Sequence, residues 1–325
     1  MKFAFVFPGQ GSQSVGMLNV FSGWPVVQET LAQASDILEQ DIGALIANGP
    51  ADALNLTFNT QPAMLTAAYA VYRAWRAAGG PEPAMVAGHS LGEYTALVAA
   101  GALAFDDALK LVRFRAQIMQ EAVPEGAGSM AAILGLDAQS VRALCTAVSA
   151  LGTVEAVNFN APTQTVIAGQ RNPVETVCKL ALSAGAQRAV PLPVSAPFHS
   201  SLLKPAADRL SAYLSHVEIR APRIPVVNNI DVAIASTPQE IRDALARQVA
   251  GPVRWVECVR RLVLEGATQI IECGPGKVLT GLTKRIDRSL GHAAIHDPAS
   301  LESAQLNDQS DAESAFKTAE IKSSR

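Results

Sequence analysis

The sequence predicts an α/β protein in two parts. Residues 1–125 and 195–304 form a large lobe on a mainly parallel sheet, and residues 126–194 form an inserted α+β unit of the ferredoxin-like pattern. Three observations carry this. A strongly apolar run at 2–7 breaks at Pro8 into the glycine loop GQGSQSVGM, as a buried strand entering a turn does. A short apolar run at 84–87 passes through Gly88-His89-Ser90-Leu91-Gly92 into an alanine-rich, helix-forming run at 91–100. From Gly126 the texture becomes strand, helix, strand, strand, helix, strand, the order of a split βαβ unit of about 70 residues.

Taken in order, 26–46 and 61–78 read as helices with ordinary apolar stripes, the second with Pro62 near its first turn. Asn59, Thr60 and Gln61 just before it read as helix capping. The run 105–122 is an amphipathic helix with Asp106 and Asp107 in its first turn. In the inserted unit, strands are expected at 126–136, 154–158, 165–168 and 186–191, with helices at 138–149 and 173–184. Two further buried strands are expected at 224–229 and 269–272, then a loop into a helix at 274–282. The polar stretch 305–325 carries only Leu306, Phe316 and Ile321 as bulky apolar residues and reads as a disordered tail.

Composition narrows the function. The 325-residue chain can bury a large core. Apolar residues at 49%, charged ones at 17% and a net charge of −3 give no sign of nucleic acid or an anionic membrane as partner. No apolar run approaches the roughly 18 residues that span a bilayer, and the opening MKFAFVFPGQG is too short for a signal peptide, so a cytoplasmic protein is expected. Cys145, Cys178, Cys258 and Cys273 lack C-x-x-C spacing and read as buried thiols rather than a disulfide framework or zinc site.

Ser90 is the candidate nucleophile. Glycines at 88 and 92 lack side chains where strand and helix crowd together, so the hydroxyl can project from the turn, as in an α/β-hydrolase-like lobe. The amide of Leu91 then lies at a helix start, where it can bind a developing oxyanion, and Glu93 suits the first helical turn. The loop at 9–17 lacks both G-K-[ST] and G-x-G-x-x-G, leaving a plain turn or a loop whose amides face a substrate. Arg115 is unusual. Its helical neighbours Leu111, Val112, Ile118 and Met119 are all apolar, so its guanidinium either snorkels, pairs with a fixed acid or binds an anionic ligand. His199 directly precedes a helix that Ser200 or Ser201 could cap, a setting that keeps an imidazole neutral and basic, although a structural histidine fits too. His89 should point away from its neighbour Ser90, and His216, His292 and His296 lie in polar surroundings. No acid among Asp106, Asp137 and Glu155 has the setting of a third triad member.

The segments GHSLGEY, PGQGSQ, Arg115-x-x-x-Met119-Gln120, Pro197-Phe198-His199-Ser200 and RQVAGPVRW resemble the malonyl-CoA:acyl carrier protein transacylases and the acyltransferase domains of polyketide synthases. The resemblance covers residues 2 to about 304. It implies that Ser90 is acylated, that His199 is the base, and that the backbone carbonyl of Gln248 orients the histidine. It also implies that the amides of Gln10 and Leu91 form the oxyanion hole, and that Arg115 holds the free carboxylate of the substrate. The inserted unit is then a small subdomain across a cleft from the large lobe. Leu91 and Phe198 resemble the malonyl-selective pattern of that family.

By this resemblance the chain moves a malonyl group from malonyl-CoA to the phosphopantetheine thiol of acyl carrier protein, with no cofactor or metal. A stand-alone polyketide acyltransferase and a transacylase subunit of malonate decarboxylase would share all of these motifs, whereas a serine hydrolase of the same lineage would share Ser90 and His199 and, with an uncharged substrate, have no need of Arg115. A non-enzymatic binding module is the reading from a different class, and it predicts no covalent labelling of Ser90.

Overall fold

A computed structural model of the chain describes residues 2–124, 126–194 and 196–305. Its frame is a five-stranded sheet of β1 (Phe3–Phe7), β2 (Met85–Gly88), β7 (Val226–Val227), β8 (Gln269–Cys273) and β9 (Gly291–Ile295). The order is β7-β2-β1-β8-β9, and every pairing is parallel. A parallel sheet is covered on both faces, which is why β1 is apolar at every position instead of alternating. Its side chains nonetheless divide. Phe3, Phe5 and Phe7 enter the cluster around Trp75, with Phe5 edge-on to Trp75 at 5.5 Å, while Ala4 and Val6 enter the cluster around Trp255 and Leu262.

The second sheet consists of β3 (Gly128–Leu134), β4 (Val154–Ala161), β5 (Gln164–Gln170) and β6 (Arg188–Pro191), in the order β4-β5-β3-β6 with antiparallel pairing throughout. Helices Ala138–Val148 and Arg171–Ser183 pack on it around Ile133, Val141, Ile167 and Val177. This is the ferredoxin-like strand order, and the α/β class follows from the two sheets together.

Several elements differ from the sequence reading. The expected helix at 26–46 is two helices, Pro25–Leu38 and Ile42–Asn48, because Glu39 turns left-handed (φ 49°) and Asp41 caps the second through the Ala44 amide at 2.7 Å. The helix expected from residue 61 starts earlier and spans Thr57–Ala77, so Asn59, Thr60 and Gln61 lie inside it and do not cap it. The Thr60 hydroxyl instead donates to Leu54 O at 2.6 Å. The strand expected at 224–229 pairs only over Val226–Val227, which leaves Asn228 and Asn229 off the sheet. Strand β9 and a helix at 298–305 have no counterpart in the sequence reading. Gln305, assigned to the tail, sits in that helix and donates to Ala78 O at 2.9 Å. The rest of the expected tail, 306–325, lies outside the described residues. Among the described residues, no helix is long and apolar enough to cross a membrane.

Candidate active site

The turn after β2 is as tight as the glycines imply. A Cβ on Gly88 would stand 1.9 Å from Gly92 C, and one on Gly92 would stand 2.1 Å from Phe7 O. Ser90 at its tip has φ 52°, a strained region for a residue with a side chain. Neighbouring bonds hold it there: the Ser90 amide donates to Asn229 Oδ1 at 2.7 Å, and Asn229 Nδ2 donates to Gly88 O at 2.7 Å. The loop after β1 closes on the same turn, since a Cβ on Gly9 would meet His89 O at 2.5 Å.

Ser90 opens into a narrow cleft of about 100 Å3 between the two sheets. Gln10, Leu91, Arg115, Phe198 and His199 line it from the large lobe, and Met130 and Asn158 from the inserted unit. Gln10 is tethered through its side chain, Nε2 donating to Thr57 Oγ1 at 3.2 Å. Ser90 Oγ lies 2.7 Å from His199 Nε2, and His199 Nδ1 lies 2.8 Å from the backbone oxygen of Gln248. With a carbonyl at Nδ1, that nitrogen carries the proton and Nε2 is the free acceptor toward the serine. Burial and then the Arg115 charge push the His199 imidazole down to about 3, so it is neutral at physiological pH.

The sequence reading placed His199 at a helix start capped by Ser200 or Ser201. The structure corrects the setting. Residues Ser201–Leu203 form a short 3-10 turn before the helix Lys204–Leu214, Ser200 Oγ turns back to Pro197 O at 2.7 Å, and Ser201 is held by Glu155. His199 is neutral mainly through burial. His89 turns to Asn160 Oδ1 at 2.8 Å, away from the serine. Asp106 and Asp137 bond Gln33 and Ser140.

Arg115 is 1% exposed and reaches the serine. One NH2 group donates to Ser90 Oγ and to Gln248 Oε1, each at 3.1 Å, and the other donates to Gln61 Oε1 at 2.8 Å. These are neutral partners. Among the described residues no carboxylate forms an ion pair with Arg115, so its charge is held in place by amide oxygens and by Tyr94, whose ring lies 5.3 Å below the guanidinium.

Residues 4–319 match the model of the acyl transferase domain family. The chain belongs to this family. It is 52% identical over 304 residues to the malonyl CoA-acyl carrier protein transacylase of Escherichia coli K12, a match covering 93% of this chain and 98% of that protein. The transacylase of Bacillus subtilis is 45% identical, with 93% and 96% covered. Among solved structures, the acyl-carrier-protein S-malonyltransferase of Burkholderia pseudomallei superposes with a TM-score of 0.93 at 70% identity, covering 94% of this chain and 99% of that one. A malonyl-transacylase in complex with its type II polyketide synthase acyl-carrier protein superposes equally well at 50% identity, with 94% and 100% covered.

Four residues of this acyl transferase site have no place in the sequence reading. In the sequence Gln61 reads as a cap and Glu93 as a helix-start acid, and Asn158 and Asn229 carry no motif. Glu93 is 2% exposed, and its Oε2 accepts from Asn229 N and Gln248 Nε2, each at 2.8 Å. Burial pushes its carboxyl up to about 7 against the pull of those donors and of Arg115. Asn158 carries a buried side-chain oxygen with no partner among the described residues, beside the cleft. The pair of asparagines closing the apolar run 224–227 is the one local signal that could have pointed to Asn229, since two amides at a strand end need partners.

Proposed function

We propose that this acyl transferase carries a malonyl group from malonyl-CoA to the phosphopantetheine thiol of acyl carrier protein through an ester on Ser90. His199 Nε2 takes the Ser90 proton as Oγ attacks the thioester carbonyl. The amides of Leu91 and Gln10 stabilise the oxyanion, and the CoA sulfur leaves with the proton from His199. The carrier thiol then enters in place of CoA and reverses the sequence, regenerating Ser90 with ping-pong kinetics. Nucleophile, base and oxyanion donors are all protein groups, so the steps draw on no cofactor or metal. The carrier protein and malonyl-CoA are the partners, the inserted unit 126–194 supplies the far wall of the cleft, and the setting is the cytoplasm.

The observation that carries this reading is Arg115: a buried guanidinium, 3.1 Å from the nucleophile, whose partners are neutral amide and hydroxyl oxygens. A buried cation so placed favours an acyl group bearing its own carboxylate. An uncharged acyl group leaves it uncompensated, which weighs against a general serine hydrolase. The test is intact-protein mass spectrometry after mixing with a panel of acyl-CoAs. A malonyl adduct that maps to Ser90 and transfers to carrier protein is expected. No adduct, or one that persists in Ser90→Ala, overturns the reading. The complex of a relative with a polyketide carrier protein favours a second pathway for the same chemistry. Comparing loading of fatty-acid and polyketide carrier proteins distinguishes the two.

A further inference from the structure

We infer that Glu93 is a positioning residue for malonyl recognition, acting through Gln248 on Arg115. The inference rests on the malonyl-transfer reading and adds to it the origin of the site's charge arrangement. Glu93 belongs to the first turn of the helix Gly92–Ala99, where an acid is ordinarily solvated. Here it is buried, and one oxygen, Oε2, accepts from both the Asn229 amide and Gln248 Nε2.

The consequence follows from donor and acceptor chemistry. Glu93 Oε2 is the acceptor of both bonds, so the Gln248 amide turns its NH2 toward Glu93. Its carbonyl oxygen is then the atom that meets Arg115, at 3.1 Å. With the amide reversed, an NH2 group would face the guanidinium, donor against donor. Gln248 therefore presents an acceptor to Arg115 because Glu93 is on its other side. The same geometry keeps the two charges apart by the length of one amide. A direct Glu–Arg pair would occupy the guanidinium face that an incoming carboxylate needs, whereas Gln61 and Gln248 hold Arg115 with neutral oxygens. Through the Asn229 backbone, Glu93 also steadies the side chain that accepts from the Ser90 amide.

A merely structural role for Glu93 predicts that its loss impairs all substrates alike. Positioning through Gln248 predicts a loss concentrated on the substrate that uses Arg115. The experiment measures specificity constants for Ser90 acylation by malonyl-CoA and acetyl-CoA in the full-length wild type, Glu93→Ala and Glu93→Gln. In Glu93→Ala the malonyl-to-acetyl ratio is expected to fall about 10- to 100-fold, the loss of a hydrogen bond to a charged group. Glu93→Gln retains a side-chain oxygen that can accept both N–H groups, and its ratio should stay within about threefold of wild type. An unchanged ratio in Glu93→Ala, with both constants falling together, overturns the inference. If Glu93→Ala yields no folded protein, Gln248→Leu reads the same link from its other end: a fall in the ratio supports the inference and a constant ratio sinks it. A wild type that forms no Ser90 adduct instead removes the underlying malonyl-transfer reading.

Discussion

His199 Nδ1 lies 2.8 Å from the backbone oxygen of Gln248, so the group that orients the imidazole is a carbonyl and not a carboxylate. Because the partner is main chain, Gln248→Ala leaves it intact. Acylation by acetyl-CoA is expected to change by less than about tenfold in Gln248→Ala, whereas His199→Ala should lose on the order of 10²-fold or more. Stopped-flow acylation rates for the two variants check this, and equal losses would contradict the division of labour within residue 248.

Arg115→Ala leaves a malonyl carboxylate buried without its charge partner, a loss of roughly 2 to 5 kcal/mol, or about 30- to several-thousand-fold in specificity. Acetyl-CoA lacks that carboxylate and should lose little. Arg115→Lys should rescue malonyl transfer only in part, since it keeps the charge without the planar fork. The readout is the ratio of the two specificity constants, and a ratio that does not fall makes Arg115 a structural residue.

The pH dependence has a definite sign. His199 must be unprotonated to act as base, and burial followed by the Arg115 charge holds it at about 3. Its protonation therefore should not reduce acetyl-CoA acylation between pH 8 and about 5. In Arg115→Ala the second cause is gone, so the acid limb should move upward, with burial still keeping it below an ordinary histidine. Glu93, pushed up to about 7, is the other group of the site that titrates in this range, and the profile is best read in Glu93→Gln. An acid limb that stays fixed on removal of Arg115 would refute the assigned cause.

Phe198 lines the cleft directly before His199. An α-methyl on the acyl group should be crowded there, so methylmalonyl-CoA is expected to react at least about tenfold less efficiently than malonyl-CoA, the scale of one methylene in a shaped pocket. Competition between the two substrates, scored by adduct mass, provides the comparison, and equal labelling would rule out Phe198 as the discriminating contact.

Gly88→Ala places a methyl group 1.9 Å from the backbone of Gly92. The turn must open, at a cost of about 3 kcal/mol or more. A denaturant midpoint within error of wild type would show that the turn is less constrained than this distance requires.

The sequence by itself determined the α/β class, the buried strand at the N-terminus, the strand-turn-helix around Ser90 and the six-element pattern of the inserted unit. Each is a local property: an apolar run, a glycine pair or a change of period within a few residues. Arg115 was legible as an anomaly for the same reason, because its helical neighbours are all apolar. Boundaries were less legible where a single residue decides them, as at Glu39, whose left-handed backbone splits one periodic run into two helices. Strand β9 was illegible because GHAAI is short and half-exposed, and only the neighbouring β8 makes it a strand. The tertiary structure alone decided who meets whom at the site. The side chains of Gln61, Glu93, Asn229 and Gln248 bond partners 19 to 158 positions away, and apart from the asparagine pair that closes the run 224–227 nothing in the local chain distinguishes them from capping or surface residues. A hydrogen bond between distant residues is specified by the packing of the elements that carry them, and that packing is a property of the whole fold.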